Sequence, residues 1–191
     1  MSKGMLMPDR MRRAVILTML VTMLAAVPVA WAHAGGAKNR TFPGGSGLAV
    51  PRYVSLKSSR VNMRKGPGTD YPTVWVYRRA GMPLEVIKEF EGWHQVRDAD
   101  GATGWVLQSF LSGRRTALVL PWEIKEGTKA PQVALRTDDH KRASPVAMVE
   151  AGVIVNVSSC DGRWCRVNID QFHGYIEQKK LWGVYENERI D

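Results

Sequence analysis

Residues 60–106 open with RVNMRKGPGTDYP (Arg60–Pro72), run through a mostly apolar segment, and end in EGWHQV (Glu91–Val96) and DGATGWV (Asp100–Val106). The stretch alternates briefly at Val61–Arg64, then breaks on Gly66-Pro67-Gly68, residues that stop a strand and open an irregular loop. Short runs follow at Val74–Tyr77, Leu84–Phe90 and Trp93–Arg97, and another at Thr103–Leu107 after the Asp100-Gly101 turn signal. Short strands separated by turns, with no helical periodicity, predict a small β-barrel and an all-β fold class. Tyr53–Lys57 reads as a strand leading into this barrel and Leu107–Leu111 as a single helical turn. Thr116–Leu120 reads as the strand that closes it.

The pattern then returns. Val133-Ala134-Leu135-Arg136 repeats Val61-Asn62-Met63-Arg64 72 residues later, Trp164 and Val167 repeat Trp93 and Val96 at 71, and Gly174-Tyr175-Ile176 repeats Gly104-Trp105-Val106 at 70. An internal repeat of this kind carries more weight than any single motif. The second copy departs in its first loop, where Thr137–Lys141 lacks the glycines and the tyrosine. At the same offset, Val146 and Met148 stand for Trp75 and Tyr77.

Taken together, the V-N-x-R start, the G-P-G-T-x-Y-P loop, the G-W-x-x-V strand and the G-W-V strand resemble the bacterial SH3-like (SH3b) family, in particular tandem SH3b proteins exported by proteobacteria. The resemblance covers Leu48 to about Tyr185. It implies two tandem SH3-like barrels, no cofactor, no catalysis, and binding of peptidoglycan peptides or of an envelope protein. The expected layout is a signal peptide at 1–34, a flexible tether at 35–52 rich in Gly and Pro, and a first barrel at 53–120. A linker at 121–132 follows, with Trp122 packed between the halves, then a second barrel at 133–185 and a tail at 186–191.

Residues 1–34 follow the basic, apolar and small-residue order of a secretory signal, with cuts available after Ala32 or Ala34. An uncleaved anchor is the rival reading. The apolar run Ala14–Ala30 is shorter than the roughly 20 residues a spanning helix needs, and Pro28 interrupts it, so no membrane span is expected after cleavage. The expected location is the periplasm or the medium. Cys160 and Cys165 flank the Asp161-Gly162 turn signal, which sets them opposite each other on a hairpin; in an oxidising compartment such a pair forms a disulfide. A metal pair is the alternative, with His173 as the one further ligand nearby. No metal or other cofactor is expected.

The chain carries a net charge of +9. Part of it lies in the signal segment (Lys3, Arg10, Arg12 and Arg13 against Asp9), and residues 53–119 hold ten basic and six acidic residues. That excess suits either an anionic wall polymer or a solvated surface; nucleic acid is not expected as a partner of an exported protein. Alternation along the strands assigns Val74, Val76, Val96 and Val106 to the core and sends Trp75, Tyr77, Trp93 and Trp105 outward, with Tyr71 on the loop beside them. Such a patch is either a ligand site or a face covered by neighbouring strands. As a ligand site it would use Tyr71, Trp75, Tyr77, Trp93 and Trp105, with Arg64, Lys65, Arg78 and Arg79 drawing carboxylates to it. No G-x-S-x-G turn, H-E-x-x-H run or phosphate loop occurs, and the histidines are scattered, so no catalytic residue is assigned and the chain is not expected to be an enzyme.

Overall fold

The computed structural model describes residues 42–43 and 45–191. The signal-peptide reading of residues 1–34 falls outside them. The chain forms β1 (Phe42–Pro43), β2 (Ala49–Val50), β3 (Arg52–Leu56), β4 (Val61–Arg64), β5 (Thr73–Tyr77), β6 (Pro83–Phe90), β7 (Trp93–Arg97), β8 (Thr103–Leu107) and β9 (Leu111–Ser112). It continues with β10 (Thr116–Val119), β11 (Gln132–Arg136), β12 (Pro145–Glu150), β13 (Ile154–Asp161), β14 (Trp164–Ile169), β15 (Phe172–Glu177), β16 (Leu181–Trp182) and β17 (Arg189–Ile190). One sheet runs β5-β4-β8-β7-β6-β3-β9; the other runs β12-β11-β15-β14-β13-β10-β16, with β17 added to β13. The two paths are one circuit traced twice, and in each the hydrogen-bonded ladder ends at two strands rather than closing into a ring. The fold is all-β, with two SH3-like units in tandem.

The strand Thr116–Val119 corrects the expected layout. It does not close the first barrel: it pairs with β13 and β16, as β3 pairs with β6 and β9 in the first unit. Three backbone bonds confirm the equivalence. In the first unit Leu56 N–H donates to Met82 O, Gly81 N–H to Leu56 O, and Lys57 N–H to Phe110 O. In the second, Val119 N–H donates to Val153 O, Gly152 N–H to Val119 O, and Leu120 N–H to Lys180 O. The units are therefore joined at Gly113–Arg115, between β9 and β10, and the segment expected to link them is a loop inside the second. Trp122 on that loop is 54 % exposed and is not packed between the halves. The tether reading also changes over its described part. Ser46 donates from both N and Oγ to the Glu89 carboxylate, β1 pairs with β2, and Val50 joins the first core.

Sequence motifs find their reasons in this frame. Arg64 Nη1 donates to Thr69 O (2.9 Å) and Tyr71 O (2.7 Å), clasping the loop that the glycines open. Arg136 repeats the clasp on Ala143 O at 2.7 Å. Gly104 lies so close to β4 that an added Cβ would meet Met63 Cγ at 2.5 Å and Arg64 O at 2.9 Å; at Gly174 it would overlap Arg136 O. Each unit has its own core. The first is centred on Leu56, Val61, Leu84, Val86, Val96 and Val106, the second on Leu135, Val155, Cys165, Val167 and Ile176. Burial of these side chains stabilises each unit by about 1.5–3 kcal/mol apiece.

The units also touch directly. Tyr185 Oη donates to Glu85 Oε1 (3.1 Å), and Tyr53 packs against Tyr185 and edge-on to Trp182 at centroid distances of 4.7 and 5.2 Å. Thr116 Oγ1 donates to Gly81 O at 2.7 Å and Arg79 Nη1 to Gly152 O at 3.1 Å. Arg115 lies over the Tyr53 ring and forms a two-pronged pair with Glu188.

Candidate functional site

The five aromatics do not gather on one face. On β7 and β8, Val96 and Val106 are fully buried, and Trp93 and Trp105 sit half-buried on the opposite side, as alternation requires. Trp105 lies beside Arg64 of β4, and Trp93 faces Leu107. On β5 the expectation fails: Tyr77 is 4 % exposed and belongs to the core, whereas Val74 is 49 % exposed and Val76 only half-buried. The cause is a bulge. Met63 faces Trp75 but Arg64 faces Thr73, so Val74 is an extra residue and counting by twos from it runs out of phase. Tyr77 Oη donates to Asp98 Oδ2 at 3.1 Å. Burial first, then the Asp98 charge and hydrogen bond, hold its hydroxyl well above the ordinary tyrosine range. Tyr77 is a structural residue.

Trp75 shares the Tyr77 face by register but stands toward the open end of the edge strand, 57 % exposed. Tyr71 is 47 % exposed, with its ring laid against Gly66 and Gly68, where an added Cβ would meet it at 2.5 and 3.3 Å. Of the cations, Arg64 is spent on the loop clasp and Arg79 on the contact with the second unit. Lys65 and Arg78 are exposed. The same bulge recurs between Leu135 and Arg136, so the counterparts of Trp75 and Tyr77 are Ala147 and Val149, one residue later than the sequence offset placed them.

Cys160 and Cys165 are joined by a disulfide across the β13–β14 hairpin. The turn is held by Asp161 Oδ1, which accepts from the N–H groups of Arg163 and Trp164, both at 2.7 Å. Among the described residues, no group of three or more His, Cys, Asp or Glu is placed to hold a metal ion. None of the described helices is long and apolar enough to cross a membrane.

Sequence reasoning missed two features. The first is a buried polar cluster: Glu89 accepts from Ser46 N (2.6 Å) and Ser46 Oγ (2.9 Å), pairs with Arg52 at 2.5 Å, and lies 3.4 Å from His94 Nε2. The second is a groove of about 820 Å³ in the second unit, between the loop at 139–141, the turn at 162–164, the turn at 177–179 and the tail at 184–187. Its walls come from four separate segments of the chain, so no local pattern in the sequence marked it.

Two copies of one small β circuit, each with its own core and loop clasp, define a tandem SH3-like scaffold. The model of the Bacterial SH3 domain matches residues 57–113 and again 129–183, and the chain belongs to that family. Among curated proteins none matches the chain. Similar solved structures include NlpC1 from Trichomonas vaginalis, with 16 % identity and TM-score 0.30, covering 69 % of this chain and 45 % of that one. NlpC2 from the same organism shows 15 % identity and TM-score 0.30, covering 69 % and 48 %. An NlpC/P60 family protein from Bacillus cereus shows 10 % identity and TM-score 0.30, covering 68 % and 55 %. The chain thus spans about half the length of these structures.

Proposed function

We propose that this chain is a non-catalytic binding module acting outside the cytoplasm, and that its first unit recognises peptidoglycan peptides. The observation that carries this reading is the edge of the first unit: Trp75 at 57 %, Val74 at 49 % and Tyr71 at 47 % exposure leave three large apolar side chains in water. Large apolar side chains left in water within one short stretch of chain are candidates for an interaction site. Lys65 and Arg78 set positive charge beside it, suited to the carboxylates of wall peptides. The disulfide suits an oxidising compartment, and bacterial SH3 modules commonly serve as wall-binding appendages.

A second reading is that an envelope protein covers this face permanently, making the chain a structural or regulatory subunit of a periplasmic complex. It is favoured by β5 standing at the end of its sheet path, where an incoming strand can pair. Retention of the purified protein on isolated sacculi separates the two. The wall reading expects direct retention, weakened roughly tenfold by Trp75→Ala with an unchanged far-UV spectrum. Failure of the wild-type protein to be retained sinks it in favour of the protein partner.

A further inference from the structure

The second sheet path ends on β12, and among the described strands β11 alone pairs with it. The other edge of β12 is open. Inward, Ala147 and Val149 pack on the second core; outward, Val146 is 41 % exposed and Met148 55 %. Val146 also borders a hollow of about 400 Å³, together with the exposed Phe172 and the half-buried Tyr175 of β15. An open edge with apolar side chains beside it is a template for a further strand.

The charges along this edge fit one occupant. Arg142 precedes the strand and Glu150 ends it; both are exposed, and neither has an ionic partner among the described residues. Glu150 accepts only a long bond from the Gln132 amide, at 3.3 Å. The residues between Arg142 and Glu150 carry no charge. Antiparallel pairing of two copies about Val146 sets Arg142 of each opposite Glu150 of the other, twice over by symmetry. It also puts Val146 against itself and Ser144 against Met148. Parallel pairing in register instead stacks arginine on arginine and glutamate on glutamate. The strand is self-complementary in one direction only.

We propose that β12 is the contact of a two-fold symmetric dimer, formed edge to edge with a second copy of this chain. Pro145 has no N–H to donate and the bulge at Val146 bends the strand, so the shared ladder is short. The outward side chains carry part of the contact, with the hollow beside Val146 and Phe172 open to apolar surface of the other copy. An interface of this size belongs to the weak class, with a Kd of roughly micromolar order. The pairing leaves β5 free, so it stands apart from the first-unit reading: sacculus retention tests one and self-association the other.

Sedimentation equilibrium of the exported chain from roughly 1 µM to 1 mM tests it, and should fit monomer and dimer with nothing larger. Arg142→Glu and Glu150→Arg each set like charges together at both ends of the pairing. Each should weaken the dimer roughly tenfold or more, with an unchanged far-UV spectrum because both side chains lie in water. An equimolar mixture of the two variants should dimerise again, since each reversal then meets its opposite charge, and the chain carrying both changes should behave as wild type. Trp75→Ala on β5 should leave the dimer unaltered. A wild-type chain that stays monomeric, growth beyond the dimer, charge reversals without effect, or a mixture that fails to associate would each overturn the proposal.

Discussion

The two units place different chemistry at one spot. On the central hairpin of the first, Glu89 faces His94; on that of the second, Cys160 faces Cys165. The same pair of positions is closed by an ionic and hydrogen-bonded cluster in one and by a covalent bond in the other. A terminal segment latches on beside each. In the first unit the incoming chain brings Ser46 and Arg52 to Glu89; in the second the outgoing chain lays β17 along β13, with Ile190 opposite Cys160. Each hairpin thus needs a fastening across its strands and a cover over its edge, and the repeat tolerates any chemistry that supplies both. The core differs in the same manner. Tyr77 and Asp98 form a buried hydrogen-bonded pair, where the corresponding Val149 and Ile169 are apolar and pack against the second core.

The sharpest way to test that equivalence is at Tyr77. Tyr77→Ala removes a buried aromatic and leaves Asp98 short of a donor, and should destabilise the first unit by about 3–5 kcal/mol. Trp75→Ala, on the same strand, should cost it little. If the two units do solve one packing problem in two ways, the double change Tyr77→Val with Asp98→Ile should recover much of the loss. Denaturant unfolding read by the tryptophans of the first unit checks both. A Tyr77→Ala protein as stable as wild type would break the comparison.

Reducing the disulfide is the next largest step. The loop it closes is short, so Cys160→Ala with Cys165→Ala should cost the second unit about 2 kcal/mol. Hydrogen exchange should record faster opening of β13 and β14 while β6 and β7 keep their protection. Equal loss in both units would mean that the contact through Tyr53, Trp182 and Tyr185 makes them a single cooperative block, which would sharpen the comparison in the other direction.

Much of this was legible in the chain itself. The Gly-Pro-Gly break, the alternation around Val96 and Val106, the 70–72-residue repeat and the Asp-Gly turn between the cysteines are local signals, and the structure honours each of them. What escaped was set by distant partners. All four residues of Thr116–Val119 are buried, so the strand has no outward face to betray which sheet it serves, and only its pairing with Asn156–Ile154 decides. The side-chain phase of β5 was lost to a single bulge at Val74. The Glu89 cluster and the groove draw residues from far apart in sequence, Ser46 with Glu89 and His140 with Tyr185. Residues 35–41 and 44 of the expected tether lie outside the described residues.

The smallest expected effect separates the two fastenings by pH. Burial foremost, with the Arg52 charge adding to it and Glu89 opposing, holds His94 below its ordinary value of 6.5. The unfolded chain therefore takes up this proton before the folded one does, and stability falls as pH drops from about 6.5 through the lower folded value. Burial pushes Glu89 up, but hydrogen bonds from Ser46 and Arg52 outweigh it and leave the carboxyl below its ordinary 4.5. Its contribution is complete above the unfolded value and is lost only as pH falls through the depressed one. Both groups weaken the first unit in acid, His94 beginning first. The disulfide at the matching place in the second unit does not titrate, while its Asp161, lowered by the backbone N–H groups of Trp164 and Arg163, loses its contribution only in the carboxylate range. Between about pH 6.5 and 4.5, exchange corrected for intrinsic rates should therefore speed up in β6, β7 and the Ser46 region more than in β13 and β14. His94→Gln should flatten that difference, and a parallel response of the two hairpins in the wild-type protein would show that the Glu89–His94 pair is not the counterpart of the disulfide.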